Sequence, residues 1–193
     1  MALKLAAAII IPALLAAAMG TSARAMFTDT DSVSNNAFIR GTGDISTTPN
    51  TALVTFSNMP PGDSVVDDIT VTNSGSLDAR YAVTSTTTEN TLAAQLHLTI
   101  WDEAEEGDAG TACNTTPPVT VLYGPAELGS TTGIDVIGNP APGFQAGDRT
   151  LAAGASDVLC FSVSLPLSTG NSVQGLTTTL TFDFGAEQTK SNP

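Results

Sequence analysis

The sequence is poor in positive charge, histidine, cysteine and aromatic residues. Six Lys and Arg stand against 19 Asp and Glu, for a net charge of -13. Lys4 and Arg24 lie in an N-terminal stretch that reads as a removable leader, so the remainder is more acidic still. A surface of that sign repels phosphate backbones and anionic lipid, which argues against nucleic-acid binding and electrostatic adsorption to membranes. The one histidine is His97. A zinc peptidase typically needs two histidines one helical turn apart plus a general-base carboxylate, and that set cannot be assembled here. A serine or cysteine nucleophile would also lack a partner set, and no G-x-S-x-G elbow exists. The two cysteines, Cys113 and Cys160, lie too far from each other and from His97 to resemble a zinc site. In an exported chain such a pair reads as one disulfide closing a long loop, worth on the order of 3–4 kcal/mol; the alternative is two buried thiols.

Long apolar runs are absent except at the N-terminus. Lys4 is a positive first region, residues 5–18 are apolar, and Ala23-Arg24-Ala25 is an A-x-A type cleavage site, which places the cut between Ala25 and Met26. The apolar run is interrupted by Pro12 and is short for a span of about 20 residues. A retained N-terminal anchor is the alternative. The expected organisation is a signal peptide over residues 1–25, an N-terminal strand segment over 26–40, a β-sandwich over 41–188 and a polar tail over 189–193. After cleavage no segment is left to sit in a bilayer, and the tail carries neither a sortase-like motif nor an apolar anchor. The expected location is outside the cell or on its surface.

Helix signals are nearly absent beyond the leader. Thr, Val, Ser, Asn, Gly and Pro dominate, which favours strands and turns. Several segments alternate with a period of two. Ala52, Val54 and Phe56 share a face. Val65, Ile69 and Val71 share another, with Asp68, Thr70 and Thr72 opposite. Tyr81 and Val83 share a face. Leu96, Leu98 and Ile100 form an apolar face backed by His97, Thr99 and Trp101. Leu159, Phe161, Val163 and Leu165 form the next, and Leu176, Leu180, Phe182 and Phe184 close the series. Pro60-Pro61-Gly62-Asp63 and Asn73-Ser74-Gly75-Ser76 read as turns. Residues 102–118 read as an acidic loop, and 124–154 as a long excursion with at most a short strand or helical turn. Many strands with one apolar face each imply two sheets packed face to face.

In their order and spacing these residues resemble the TasA and camelysin family of exported bacterial proteins, processed by a dedicated SipW-type signal peptidase. The export junction Ala25-Met26-Phe27-Thr28-Asp29 is followed by Asn36-Ala37-Phe38 and by Gly41-Thr42-Gly43-Asp44-Ile45, where Gly43 replaces the family's leucine. Met59-Pro60-Pro61-Gly62-Asp63 is similar to its L-K-P-G-D. Asn73-Ser74-Gly75-Ser76-Leu77-Asp78 is similar to its N-N-G-S-L-D. Asn171-Ser172-Val173-Gln174-Gly175 and Phe182-Asp183-Phe184-Gly185-Ala186-Glu187-Gln188 are similar to its N-x-x-Q-G and closing F-x-A-x-Q. Residues 102–154 match only loosely. The resemblance implies an all-β, jelly-roll-like two-sheet β-sandwich and a subunit of biofilm matrix fibres. It also implies that the N-terminal segment completes a sheet in the next subunit by strand addition.

The donor-strand candidates are Phe27, Val33, Ala37, Phe38 and Ile39; Val33, Ala37 and Ile39 fall on one face and Phe38 on the other. The same segment could instead pair within its own subunit, since both states use one edge. A head-to-tail contact that does not close gives a filament, so self-association is expected, with or without an assembly partner protein. Camelysin-like members have been described as metallopeptidases, which makes a secreted endopeptidase the second reading, and a monomeric surface binding module the third. Asp102, Glu103, Glu105, Glu106 and Asp108 are calcium candidates, as are Asp29 and Asp31, but without EF-hand spacing; a solvated acidic loop is the alternative. No other cofactor is implied, and no catalytic residue is assigned. Asn114-Thr115-Thr116 fits a glycosylation sequon.

Overall fold

The structure is a computed structural model that describes residues 28–32, 44–50, 55–57, 59–102, 113 and 120–189. Its strands in chain order are β1 (Thr28–Ser32), β2 (Ile45–Thr48), β3 (Thr55–Ser57), β4 (Ser64–Asn73), β5 (Ala79–Thr87), β6 (His97–Asp102), β7 (Val121–Glu127), β8 (Ile134–Ile137), β9 (Arg149–Leu151), β10 (Ser156–Ser164) and β11 (Thr177–Gln188). Two 3-10 turns, Ala93–Gln95 and Asn171–Val173, are the helical elements among the described residues. Every strand-to-strand ladder among the described residues is antiparallel.

Two sheets result. One has the order β2-β4-β10-β6-β7. In the other, β5 and β11 lie side by side at the centre; β1 and β3 share the free side of β11, and β8 and β9 share the free side of β5. Consecutive strands alternate between the sheets through most of the chain, so each sheet is built from segments distant in sequence. The alternation of β-branched and polar residues supplies the two faces of each strand. Ile69, Val71, Tyr81, Val83, Leu98, Ile100, Leu159, Leu180, Phe182 and Phe184 are all almost completely buried and form one core between the sheets. Phe161 and Phe182 meet across it with ring centroids 4.4 Å apart.

The two sequence turns are closed as their chemistry requires. The Asp63 amide donates to the Pro60 carbonyl at 3.1 Å, and the Gly62 amide donates to Leu165 O at 2.7 Å. Gly62 sits at φ +96°, where side chains are disfavoured. Asn73 is wholly buried and works as a hub: its side-chain amide donates to the carbonyls of Leu77, Leu151 and Ala152, while its Oδ1 accepts from the Gly75 amide. Asp78 then takes the Ala153 amide at 3.0 Å, joining this turn to the end of β9.

Three expectations need correction. The stretch 124–154 holds the end of β7 and all of β8 and β9, because pairing to β5 and β6 imposes extended backbone on segments too short for a readable period. Asp102 ends β6 rather than opening a loop. Trp101, assigned to a solvent face, is 6% exposed. It packs with Cys113, Cys160 and Val66 on the outer side of its sheet, and the Cys113–Cys160 disulfide covers it.

Candidate functional site

A β-sandwich offers its unpaired sheet edges as interaction sites, so the four edges decide where one could lie. On the first sheet, β7 is interrupted by Gly124-Pro125. Gly124 lies at φ +84°, where a Cβ would meet the Leu98 carbonyl at 2.0 Å, and Pro125 has no amide to donate. β2 has four residues. On the second sheet, β8 and β9 each pair only three residues of β5, with a register shift between Val83 and Thr84. The remaining edge belongs to β11, the longest strand at 12 residues.

Along that edge β1 lies opposite Asp183 to Glu187, in the register Thr28↔Glu187 through Ser32↔Asp183. β3 lies opposite Thr177 to Thr179, running in the same direction. Leu180, Thr181 and Phe182 lie between the two, faced on that side by no strand among the described residues. Beyond β3 the edge ends at Leu176, in an apolar cleft of about 320 Å³ lined by Met59, Leu92, Leu165, Val173 and Leu176. Leu167, 81% exposed, stands beside it, within 3.3 Å of where a Gly62 side chain would begin. Thr178 Oγ1, two positions further along, is buried with no hydrogen-bond partner among the described residues.

Charged side chains secure the opposite end of the sandwich. The Tyr81 hydroxyl donates to Asp157 Oδ2 at 2.5 Å. Arg149 donates to the same Asp157 through Nε at 2.7 Å and to Asp102 Oδ2 through Nη2 at 2.5 Å. This cluster joins β5 and β9 of one sheet to β6 and β10 of the other. Burial, then the charge of Asp157 and its hydrogen bond, push the Tyr81 phenol far above its ordinary range. Burial opposes the charge of Arg149, but its bonds to Asp157 and Asp102 outweigh that and hold its pKa above the usual value. On the outer face of the second sheet, Arg80 and Glu187 form a buried ion pair at 2.5 Å. Glu187 also accepts the Gly143 amide at 3.2 Å, which fastens the segment between β8 and β9 over β5 and β11. Asp183, on the same face, has its carboxyl raised by burial, against the lowering effect of a Thr86 hydrogen bond.

The sequence candidates distribute as follows. Cys113 and Cys160 are bonded to each other. Asp102 faces Arg149. Glu103, Glu105, Glu106 and Asp108, the cleavage site at Ala25 and Met26, and Phe27, Val33, Ala37, Phe38 and Ile39 lie outside the described residues. Asp29 and Asp31 belong to β1, at register positions opposite Ala186 and Phe184. His97 opens β6, exposed, across from Glu127 and Ser164. Among the described residues no three His, Cys, Asp or Glu gather as metal ligands would. Sequence reasoning missed the Tyr81–Asp157–Arg149–Asp102 cluster. Its one signal was Asp157 and Asp102 at strand ends, which read equally well as turn residues.

Comparison with known proteins gives three findings. Residues 1–112 match the family described as camelysin metallo-endopeptidase. No curated protein matches the chain. Among solved structures, that of the infectious bursal disease virus VP2 subviral particle is similar at 9% identity and a TM-score of 0.32, covering 88% of this chain and 34% of that one.

Proposed function

The chain belongs to the camelysin metallo-endopeptidase family, and from that premise we propose that it is a secreted structural subunit of an extracellular matrix fibre. The observation that supports this reading is the position of β1. It follows the expected cleavage site almost directly and lies at the outside of its sheet, paired among the described residues only to the edge of β11. An edge strand of five residues exchanges main-chain hydrogen bonds for equivalent ones when it pairs with another copy, so donation to a neighbour changes little except connectivity. Each subunit then gives β1 and receives one. The contact is heterologous and does not close, and a filament follows.

The family description implies a metal, and the residues described here do not fit one. The chain's single histidine is exposed at the start of β6. Both cysteines are consumed in the disulfide. Asp102 and Asp157 are held by Arg149, and Glu187 by Arg80. We derive no hydrolytic step from this set. Calcium, through the acidic segment after β6, and an assembly partner are accessory expectations of the same reading, as is removal of the leader by a dedicated signal peptidase.

The test is negative-stain electron microscopy of residues 26–193, concentrated from a monomeric fraction, beside a variant lacking residues 26–38. Filaments of regular width from the first and none from the second are expected. Filaments from both would sink strand donation. Persistent monomers from the first, with or without calcium and cell extract, would favour a monomeric surface module.

A further inference from the structure

Two apolar features of the surface have no partner among the described residues, one convex and one concave. The convex one is Phe144, 69% exposed, on the loop between β8 and β9. A single exposed apolar side chain is ordinary on a loose loop. This loop is tied on both sides of the ring. The Gly143 amide donates to Glu187 Oε2 at 3.2 Å, and the Gln145 amide donates to Asp148 Oδ2 at 2.9 Å. Asp148 Oδ1 accepts the Asn139 amide at 3.0 Å, and Asn139 Oδ1 accepts the Ala141 amide at 2.8 Å. Pro140 and Pro142 restrict the backbone further. These bonds go to the backbone and none covers the ring. The loop therefore holds an exposed aromatic side chain in place, which lowers the entropy a partner must remove.

The concave feature is the cleft at the start of β11. Met59, Leu92, Leu165, Val173 and Leu176 line it, no charged side chain does, and its volume is about 320 Å³. That exceeds the roughly 150 Å³ of an apolar cavity that takes up benzene. Its walls are preformed. The Leu165 amide donates to Asp63 O at 3.0 Å, Leu165 O accepts the Gly62 amide at 2.7 Å, and the Leu176 amide donates to Val173 O at 3.2 Å. Leu167 stands beside it as an exposed lip.

The geometry excludes a ring from the same molecule. Glu187 carries the Phe144 loop and Leu176 lines the cleft. The two lie about 37 Å apart along β11 at about 3.4 Å per residue, so no subunit can fill its own cleft. Charge selects the occupant. Residues 136–147, which include the loop, and residues 158–182, which include most of the cleft, hold no Asp, Glu, Lys or Arg, in a chain of net charge -13. Copies of such a chain repel over most of their surface. At these two places they can approach without opposing like charges. A cationic partner would instead be drawn to the acidic remainder.

We propose that Phe144 of one copy seats in the apolar cleft of a second copy, beside Leu176 and against the Leu167 lip. A ring of this kind buries about 150–250 Å². A stable complex needs about 1,200 Å² or more, so the contact acts where copies are already crowded. It rests on the fibre reading for that crowding, but on no exchange of strands.

Photocross-linking of residues 26–193 at about 1 mM, where weak pairing is populated, tests this. Phe144→p-benzoylphenylalanine keeps an aromatic ring on the loop and adds a reactive group. Isotope-labelled copies with Phe144 intact mark adducts made between molecules. Adducts on Met59, Leu165 or Leu176 of the labelled copy are expected. Gly170 is exposed at the wall of the cleft, and a Cβ there would meet nothing within 4 Å. Gly170→Trp in the labelled copy therefore obstructs the cleft while sparing the core, and should cut those adducts about tenfold or more. Adducts spread over other surfaces, or cleft adducts undiminished by Gly170→Trp, would overturn the proposal. Filaments that form without cleft adducts would overturn the contact and leave strand donation standing. Cleft adducts among copies that never form filaments would uphold the contact and count against the fibre reading. As a second readout, sedimentation should show Phe144→Ser and Gly170→Trp each associating more weakly, by about tenfold. An equal mixture of the two should associate more strongly than either alone, since one supplies the open cleft and the other the ring. A mixture no stronger than its components would contradict the pairing.

Discussion

At the scale of single residues, the fold depends on polar side chains whose partners lie far away in sequence. Tyr81 and Asp157 are 76 positions apart, yet their hydrogen bond joins the two sheets. Because the folded state raises the Tyr81 phenol above its ordinary value near 10, the native protein holds that proton more tightly than the unfolded chain. The associated stability is fully present below about pH 10 and is lost as pH rises beyond it. Urea titrations between pH 8 and 11 should show the midpoint falling. In Tyr81→Phe the fall should be much shallower, from a starting stability about 2 kcal/mol lower, the typical worth of a hydrogen bond to a charged acceptor. Thr178 offers the opposite case. Its buried hydroxyl has no partner, so Thr178→Val, equal in shape, should raise stability by about 1 kcal/mol in a thermal melt.

The readable residues are those whose chemistry is local. Asn73 could be assigned to its turn from the sequence because its bond to the Gly75 amide spans two residues. Its bonds to Leu151 and Ala152 could not, and neither could the fate of Asp102 as a ligand of Arg149. Spacing along a chain carries no information about which strands will become neighbours.

At the scale of elements, β4, β6, β10 and β11 all announce themselves by alternation over six residues or more, whereas β5 shows it only at Tyr81 and Val83. β8 and β9, with four and three residues, do not. Their extended backbone comes from β5, and Gly and Pro around them argued for a loop. Trp101 shows the same limit from another side. Its position in the alternation was right, but the cover over it comes from Cys113, a residue beyond the strand. That cover makes a prediction. The disulfide joins residues 47 apart, and opening it should cost about 4 kcal/mol by loop entropy. Reduction, or Cys113→Ser with Cys160→Ser, should lower the denaturation midpoint accordingly. The emission of the chain's single tryptophan should shift to longer wavelength as Trp101 gains water.

At the scale of the whole molecule, two sheets around one core were evident from the sequence, because many half-apolar strands admit few other arrangements. The charge pattern has a consequence for assembly. In the proposed fibre, subunits without the leader carry four Lys and Arg against 19 Asp and Glu, a net charge of -15, and repel one another as they approach. Filament growth should therefore speed up as salt rises from about 0.01 to 0.15 M, where the screening length shrinks from about 30 to 8 Å. Light scattering of the concentrated monomer at the two salt levels measures this; growth that slows with salt would point to attraction between charged patches instead.

β11 also sets an order in time. It is the partner of β1, β3 and β5, and it is synthesised after all three. Before Thr177 is reached, β5 can pair β8 and β9, but β1 and β3 have no β11 to pair with and the sheet lacks half of its centre. That sheet therefore stays incomplete until β11 has been made. A chain ending before Thr177 lacks the partner of β1 and β3 and the core residues Leu180, Phe182 and Phe184, so its core is left open on that side.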